Sequence, residues 1–224
     1  MSPPAFGSIA RAMFSVTVSL LFSVRVIAGD GEWTSGNGNR DAQGNWNSGN
    51  IVGDAGSVAT LSCASGKTIF VTGINTVGSV LPNAWTGASS WIIIGGTLNL
   101  ATCSGKALMS TVSGGSDSFS LDSVISRNQG IQFKASGRGQ LNDGANKFIG
   151  GVDVGDSLPL WITSAGALSG NPVTISSASG SLFLNSASYT SAHILAADAT
   201  LSHTNPSSTI GLIRNITESG GSHG

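Results

Sequence analysis

The sequence predicts an all-β protein, a right-handed parallel β-helix of short strands, and three observations carry that expectation. Charged residues make up only 9% of the 224 residues, while apolar residues reach 40% and Gly numbers 32. Glu32 and Glu218 are the only glutamates, and Lys67, Lys106, Lys134 and Lys147 the only lysines, so little is present to build solvated helix faces. Apolar and β-branched runs of about two to five residues recur, divided by Gly, Ser and Asn. Leu98, Leu121, Leu141, Leu160 and Leu182 fall about 20 residues apart, a spacing that suits a coil returning over itself once per turn. Low charge with ample apolar content also excludes ordinary disorder. A β-sandwich stays open as the alternative architecture, since turn signals at closer spacing are present too.

Residues 1–28 read as an export signal. Arg11 supplies the positive charge, Met13 to Val24 an apolar stretch, and Val26-Ile27-Ala28 the short residues of a cleavage site. The apolar run is about a dozen residues, below the roughly 20 that a spanning helix requires, and Arg25 closes it. No transmembrane segment is expected in the mature chain. The whole sequence has a formal net charge of −1. Removal of Arg11 and Arg25 with the signal leaves eight basic against eleven acidic residues, a net charge of −3. No basic cluster follows a phosphate backbone, so nucleic acid is not an expected partner.

Residues 29–66 read as an N-terminal cap and loop region. Trp33 and Trp46 lie there among Gly and Asn, and large aromatics efficiently cover the first exposed rung of a stacked array. A sugar-stacking platform is the other reading of that pair. Residues 67–224 read as the β-helix repeat region, expected to be truncated at its C-terminal end. Its strands are expected at Thr68–Thr72, Thr76–Val80, Trp91–Ile94, Thr97–Leu100, Asp117–Leu121 and Ile131–Lys134. Further runs follow at Phe148-Ile149, Val152–Val154, Leu158–Leu160, Val173–Ser176, Gly180–Leu184, Ala199–Ser202 and Ser208–Leu212. None of these runs is self-sufficient, so each must bury a face against its neighbours.

The stretch Gly144-Ala145-Asn146-Lys147-Phe148-Ile149-Gly150-Gly151-Val152-Asp153-Val154 resembles the repeat of autotransporter-type passenger domains and related bacterial surface proteins. Gly155-Asp156-Ser157-Leu158-Pro159-Leu160 and Ala165 to Ile175 resemble its continuation, with Ser157 and Pro159 departing from the pattern. Trp33, Asn45-Trp46 and Gly53-Asp54-Ala55 resemble the segment that precedes such repeats. The resemblance implies an exported parallel β-helix, extracellular or at the cell surface. It would be associated with a bacterial outer membrane if a translocator is supplied elsewhere, since no C-terminal barrel of alternating strands is recognised here.

Candidate sites are few. Asp143, Asp153 and Asp156 are near one another in sequence, with Lys134, Arg138 and Lys147 close by, as a polysaccharide lyase or hydrolase on this fold would need. Alternation places Asp153 outward, while Asp143 and Asp156 suit turns. Trp85 and Trp91 are candidates for a sugar-binding surface. His193, His203 and His223 have no metal-ligand spacing, and the Gly-rich Gly137-Arg138-Gly139 lacks a strand-to-helix setting for phosphate. Asn215-Ile216-Thr217 is a lone glycosylation sequon, meaningful only in a eukaryotic secretory host. No catalytic, cofactor or metal residues are therefore assigned. The expected function is an exported, non-catalytic structural or adhesive surface protein, with surface glycans or other cell-surface components as partners. The alternatives are a carbohydrate-active enzyme or a glycan-binding module. Cys63 and Cys103 form either a disulfide, worth roughly 4 kcal/mol for a loop of that length, or two buried thiols. Thiol titration of denatured, unreduced protein reads two equivalents for the thiols and none for the bridge.

Overall fold

A computed structural model describes residues 29–62, 66–82, 90–103, 105–110, 118–127, 129–134, 137–185, 188–189, 193–196, 199–203, 211–212 and 216–219. The expected export signal, Cys63, Trp85, Asn215 and His223 lie outside these residues. The architecture is a parallel β-solenoid, so the β-helix expectation holds and the sandwich is not formed. A nine-stranded sheet stacks Gly31–Trp33, Val58–Leu61, Ser79–Pro82, Ala107–Ser110, Ile131–Lys134, Val152–Val154, Val173–Ile175, His193–Ala196 and Ile216–Ser219. A ten-stranded sheet stacks Gly38–Asn39, Thr68–Phe70, Ser90–Leu100, Ser118–Arg127, Arg138–Leu141, Pro159–Ile162, Ser181–Leu184 and Thr200–His203. Ile74–Val77 and Lys147–Phe148 pair along the longer strands of that second sheet. Ser188–Tyr189 pairs with Gly211–Leu212 apart from both. Each coil thus adds a strand to one sheet, turns a corner and adds a strand to the other.

Alternation along each strand sends every second side chain inward, and parallel register then places inward residues directly over one another. In the first sheet Ala59, Val80, Met109, Phe133, Val154 and Ile175 form one such column. In the second, Ile69, Ile93, Leu121, Leu141, Ile162 and Leu184 form a column. Trp91, Phe119, Gly139, Leu160, Leu182 and Leu201 form its neighbour. Nearly all of these side chains are buried. Each buried Val, Leu, Ile or Phe contributes roughly 1.5–3 kcal/mol, which is how short strands become stable together. The evenly spaced leucines of the sequence therefore divide between two columns, Leu121 and Leu141 in one, Leu160 and Leu182 in the other. Leu98 belongs to neither and pairs with Ile125.

Several strand boundaries differ from the sequence expectation. Trp91–Ile94 and Thr97–Leu100 are one eleven-residue strand, because Gly95 and Gly96 (φ +83° and +41°) make a bulge that bends the chain without ending its pairing. The strand beginning near Asp117 runs ten residues, to Arg127. Strands of this length bridge a corner. In the opposite direction, Thr76–Val80 is broken at Gly78, where a Cβ would lie 2.5 Å from the Gly56 carbonyl carbon. The strands Gly31–Trp33 and Val58–Leu61 already belong to the first sheet, so the ladder reaches into residues 29–66.

The corners are held by asparagine. Asn146 is buried, and its Oδ1 accepts the Ile125 N–H at 2.7 Å while its Nδ2 donates to the Ala167 carbonyl at 2.8 Å. One amide therefore joins three successive coils. Asn171, also buried, donates to the Phe148 carbonyl one coil below. Replacement of Asn146 by Ala leaves a buried N–H and a buried C=O unpaired. Asn146→Ala should lose about 1–3 kcal/mol in urea unfolding. Asp143→Ala, which removes an exposed turn contact, should lose less than Asn146→Ala does.

Candidate functional site

Among the described residues, the outward face of the ten-stranded sheet carries an ordered row of side chains. Residues between the buried columns point away from the core, and register again aligns them. Ser120, Gln140, Trp161, Phe183 and Ser202 form one outward column. Trp161 and Phe183 stack with ring centroids 4.8 Å apart and planes at 16°. That separation equals the spacing of neighbouring strands, so the rings stack along the solenoid axis and present their edges to solvent. The guanidinium carbon of Arg138 lies 5.4 Å from the centre of the Trp161 ring, a cation–π contact from the coil below. Arg138, Trp161 and Phe183 form one pile.

A polar network runs beside the pile. Ser120 Oγ donates to Asp122 Oδ1 at 2.5 Å, and Asn142 Nδ2 donates to Asp122 Oδ1 and Ser120 Oγ, both at 2.7 Å. Thr163 Oγ1 donates to Asn142 Oδ1 at 2.7 Å in the next coil. These bonds fix side chains that would otherwise be free rotors. The face is thereby rigid and preformed, as a binding surface of low ordering cost would be.

The acids singled out in the sequence are not brought together. Asp153 points outward as alternation requires, and Lys106 Nζ meets its Oδ1 at 2.6 Å. Asp143 lies on the corner leading from the second sheet to the first, where its Oδ1 accepts the Ala145 N–H at 2.7 Å. Asp156 lies on the following corner, back toward the second sheet, in the left-handed conformation (φ +53°). Lys134 and Lys147 are exposed, and Arg138 is engaged with Trp161. Among the described residues no three His, Cys, Asp or Glu side chains approach as a metal-binding group. Cys103 is exposed, with its Sγ against Gly56.

The tryptophan expectations divide. Trp33 and Trp46 are buried and meet edge to face at 5.3 Å, with Nε1 of Trp46 donating to the Arg40 carbonyl at 2.6 Å. They cap the first coils, as expected. Trp91 is corrected: it is 1% exposed in the column under Phe119, because its position on the strand faces the core, and it offers no ring to a sugar. Sequence reasoning missed Trp161 and Phe183, although they are the aromatic residues of two successive strands and would align once register is known.

Two further hollows flank the N-terminal coils. A small, partly open hollow of about 30 Å³ touches Arg40, Trp46, Val71 and Leu98. It is far smaller than the several hundred Å³ of a metabolite site. Burial pushes the Arg40 guanidinium below its ordinary value, opposed by Asp41 at 2.8 Å. An open groove of about 390 Å³ is edged by Asp30, Glu32, Asn47 and Thr60. Its acids hold structure: Asp30 Oδ1 accepts the Val58 N–H at 2.8 Å, and Glu32 Oε2 accepts from Asn47 Nδ2 at 2.9 Å. No helix among the described residues is long and apolar enough to cross a membrane.

Fold and surface together define a parallel β-solenoid with one rigid, aromatic and hydroxyl-bearing outer face. Comparison with protein-family models, curated proteins and solved structures returns no match. The likeness to passenger-type repeats therefore rests on the residues quoted above.

Trp161→Ala should cost about 0.5–1.5 kcal/mol beyond lost area, through the Phe183 stack, read in urea unfolding together with a loss of near-ultraviolet dichroism. Lys106→Ala should cost at most about 1 kcal/mol, since both partners of that ion pair keep contact with water.

Proposed function

We propose that this chain is an exported, non-catalytic adhesive module whose solenoid presents the outer face of the ten-stranded sheet to components of a cell surface. The single observation behind the reading is the Arg138–Trp161–Phe183 pile beside the Ser120–Asp122–Asn142–Thr163 network. A catalytic site concentrates groups with perturbed ionisation in a cleft. Here the ordered side chains lie on a flat sheet, spread over several coils, and the nearby acids are engaged in turns, an ion pair and the hydrogen-bonded network. Such a surface suits many weak contacts repeated along an extended ligand.

The passenger-like stretch around Asn146 supports export and surface display in the same direction. Its Asn and Gly positions do structural work at corners, which leaves the sheet faces free to vary with the ligand.

Labelled protein should bind saturably to immobilised cell-surface polysaccharides or whole cells, and Asp153→Ala should bind as the wild type does. Release of reducing ends or unsaturated sugars by the wild type, abolished by Asp153→Ala, would replace this reading with an enzyme. Absence of binding to every surface would end the adhesive reading.

A further inference from the structure

Arg40 is a cation set inside the first coils, and one end of it has nothing to bond. The residue is 8% exposed. Its backbone N–H donates to the Phe70 carbonyl at 2.9 Å, and its own carbonyl accepts from Trp46 Nε1 at 2.6 Å. Nη1 donates to Asp41 Oδ1 at 2.8 Å and to Asn75 Oδ1. Nη2 is buried and has no hydrogen-bond partner among the described residues. A buried donor left unpaired is costly, and more so on a charged group, so such an atom calls for an explanation.

The hollow of about 30 Å³ supplies one. Arg40 is the only charged residue of its wall. The rest is Trp46 and aliphatic side chains, among them Val52, Leu61, Ile69, Val80 and Ile93. Trp46 Nε1 is already spent on the Arg40 carbonyl. Among the described residues lining the hollow, Nη2 is the buried side-chain donor left to serve an occupant.

The chemistry of the wall selects that occupant. Water would go in at about 10–15 Å³ per molecule, but an internal water needs two to four polar partners and here meets one. A polyatomic anion brings further oxygens, which would face hydrocarbon unpaired. A monatomic anion has none. It asks only for a point of positive charge, and Nη2 offers charge-assisted N–H donors within an apolar wall, where Coulomb attraction is strong. The Asp41 side chain is 43% exposed, so water screens its repulsion.

We propose that the hollow beside Arg40 is a halide site, holding one chloride ion on Nη2 against the Trp46 cap. Arg40 already ties its coil to Phe70 and Asn75 of the next. An anion that holds the guanidinium in place keeps those bonds made. Chloride is thus a stabilising ligand of the N-terminal coils, a role separate from binding on the sheet face.

The test is thermal unfolding of the full chain in sodium chloride, sodium bromide and sodium gluconate at equal ionic strength, gluconate being too large for the hollow. Arg40→Met keeps the aliphatic stem, removes the charge and shares any general salt effect. Relative to gluconate, chloride and bromide should each raise the wild-type midpoint about 2–4 °C more than they raise that of Arg40→Met. Equal salt responses of the two proteins overturn the site. Should Arg40→Met fail to fold, crystals of the wild type grown in sodium bromide decide the matter. An anomalous bromine peak beside Nη2 is expected, and a water there, or bromide at the surface only, overturns the proposal.

Discussion

Everything in this molecule depends on register between parallel strands. Because each coil lies directly on the one before, every side chain acquires a neighbour of the same orientation about 4.8 Å away. Inside, that constraint demands columns of compatible volume, and Gly139 shows how tightly. Its place falls between Phe119 and Leu160, where a Cβ would lie 3.0 Å from the Phe133 ring and 3.3 Å from Leu160. The column accepts a glycine there because its neighbours are large. Outside, the same constraint turns chemically ordinary residues into arrays. A serine, a glutamine, a tryptophan and a phenylalanine, scattered through more than sixty residues, become one straight row.

The corners carry the opposite burden. A chain that turns at every strand must satisfy backbone groups away from its sheets, and buried polar groups without partners cost about 1–3 kcal/mol each. Asn146 and Asn171 meet that need with side-chain amides that reach between coils. Gly150 and Gly151, at φ +107° and +80°, then let the chain enter the strand Val152–Val154. The polar residues of the passenger-like stretch are thus accounted for by architecture.

The fold class was legible because short β-branched runs, scarce charge and Gly/Asn corners all describe one problem: strands too short to be stable alone. The outward placement of Asp153 and the capping role of Trp33 and Trp46 followed from alternation and from the need to cover a first rung. What was not legible depended on register. Nothing in composition says that Leu141 sits over Leu121 but beside Leu160, or that Trp91 faces the core while Trp161 faces out. Asn146 read as one more turn residue, since its two partners, Ile125 and Ala167, lie a coil away on each side. The Trp161–Phe183 stack was hidden for the same reason, as two aromatics far apart in a chain carry no signal until a strand pairing is assigned.

The most direct measurement of the central claim, that the outer face of the ten-stranded sheet is the working surface, is a crystal structure of the protein grown with a neutral hexasaccharide. The account predicts sugar lying along the outer face of the ten-stranded sheet, against the Arg138, Trp161 and Phe183 side chains. Sugar seated instead in the groove beside Glu32, or on the outer face of the nine-stranded sheet around Asp153, would contradict it.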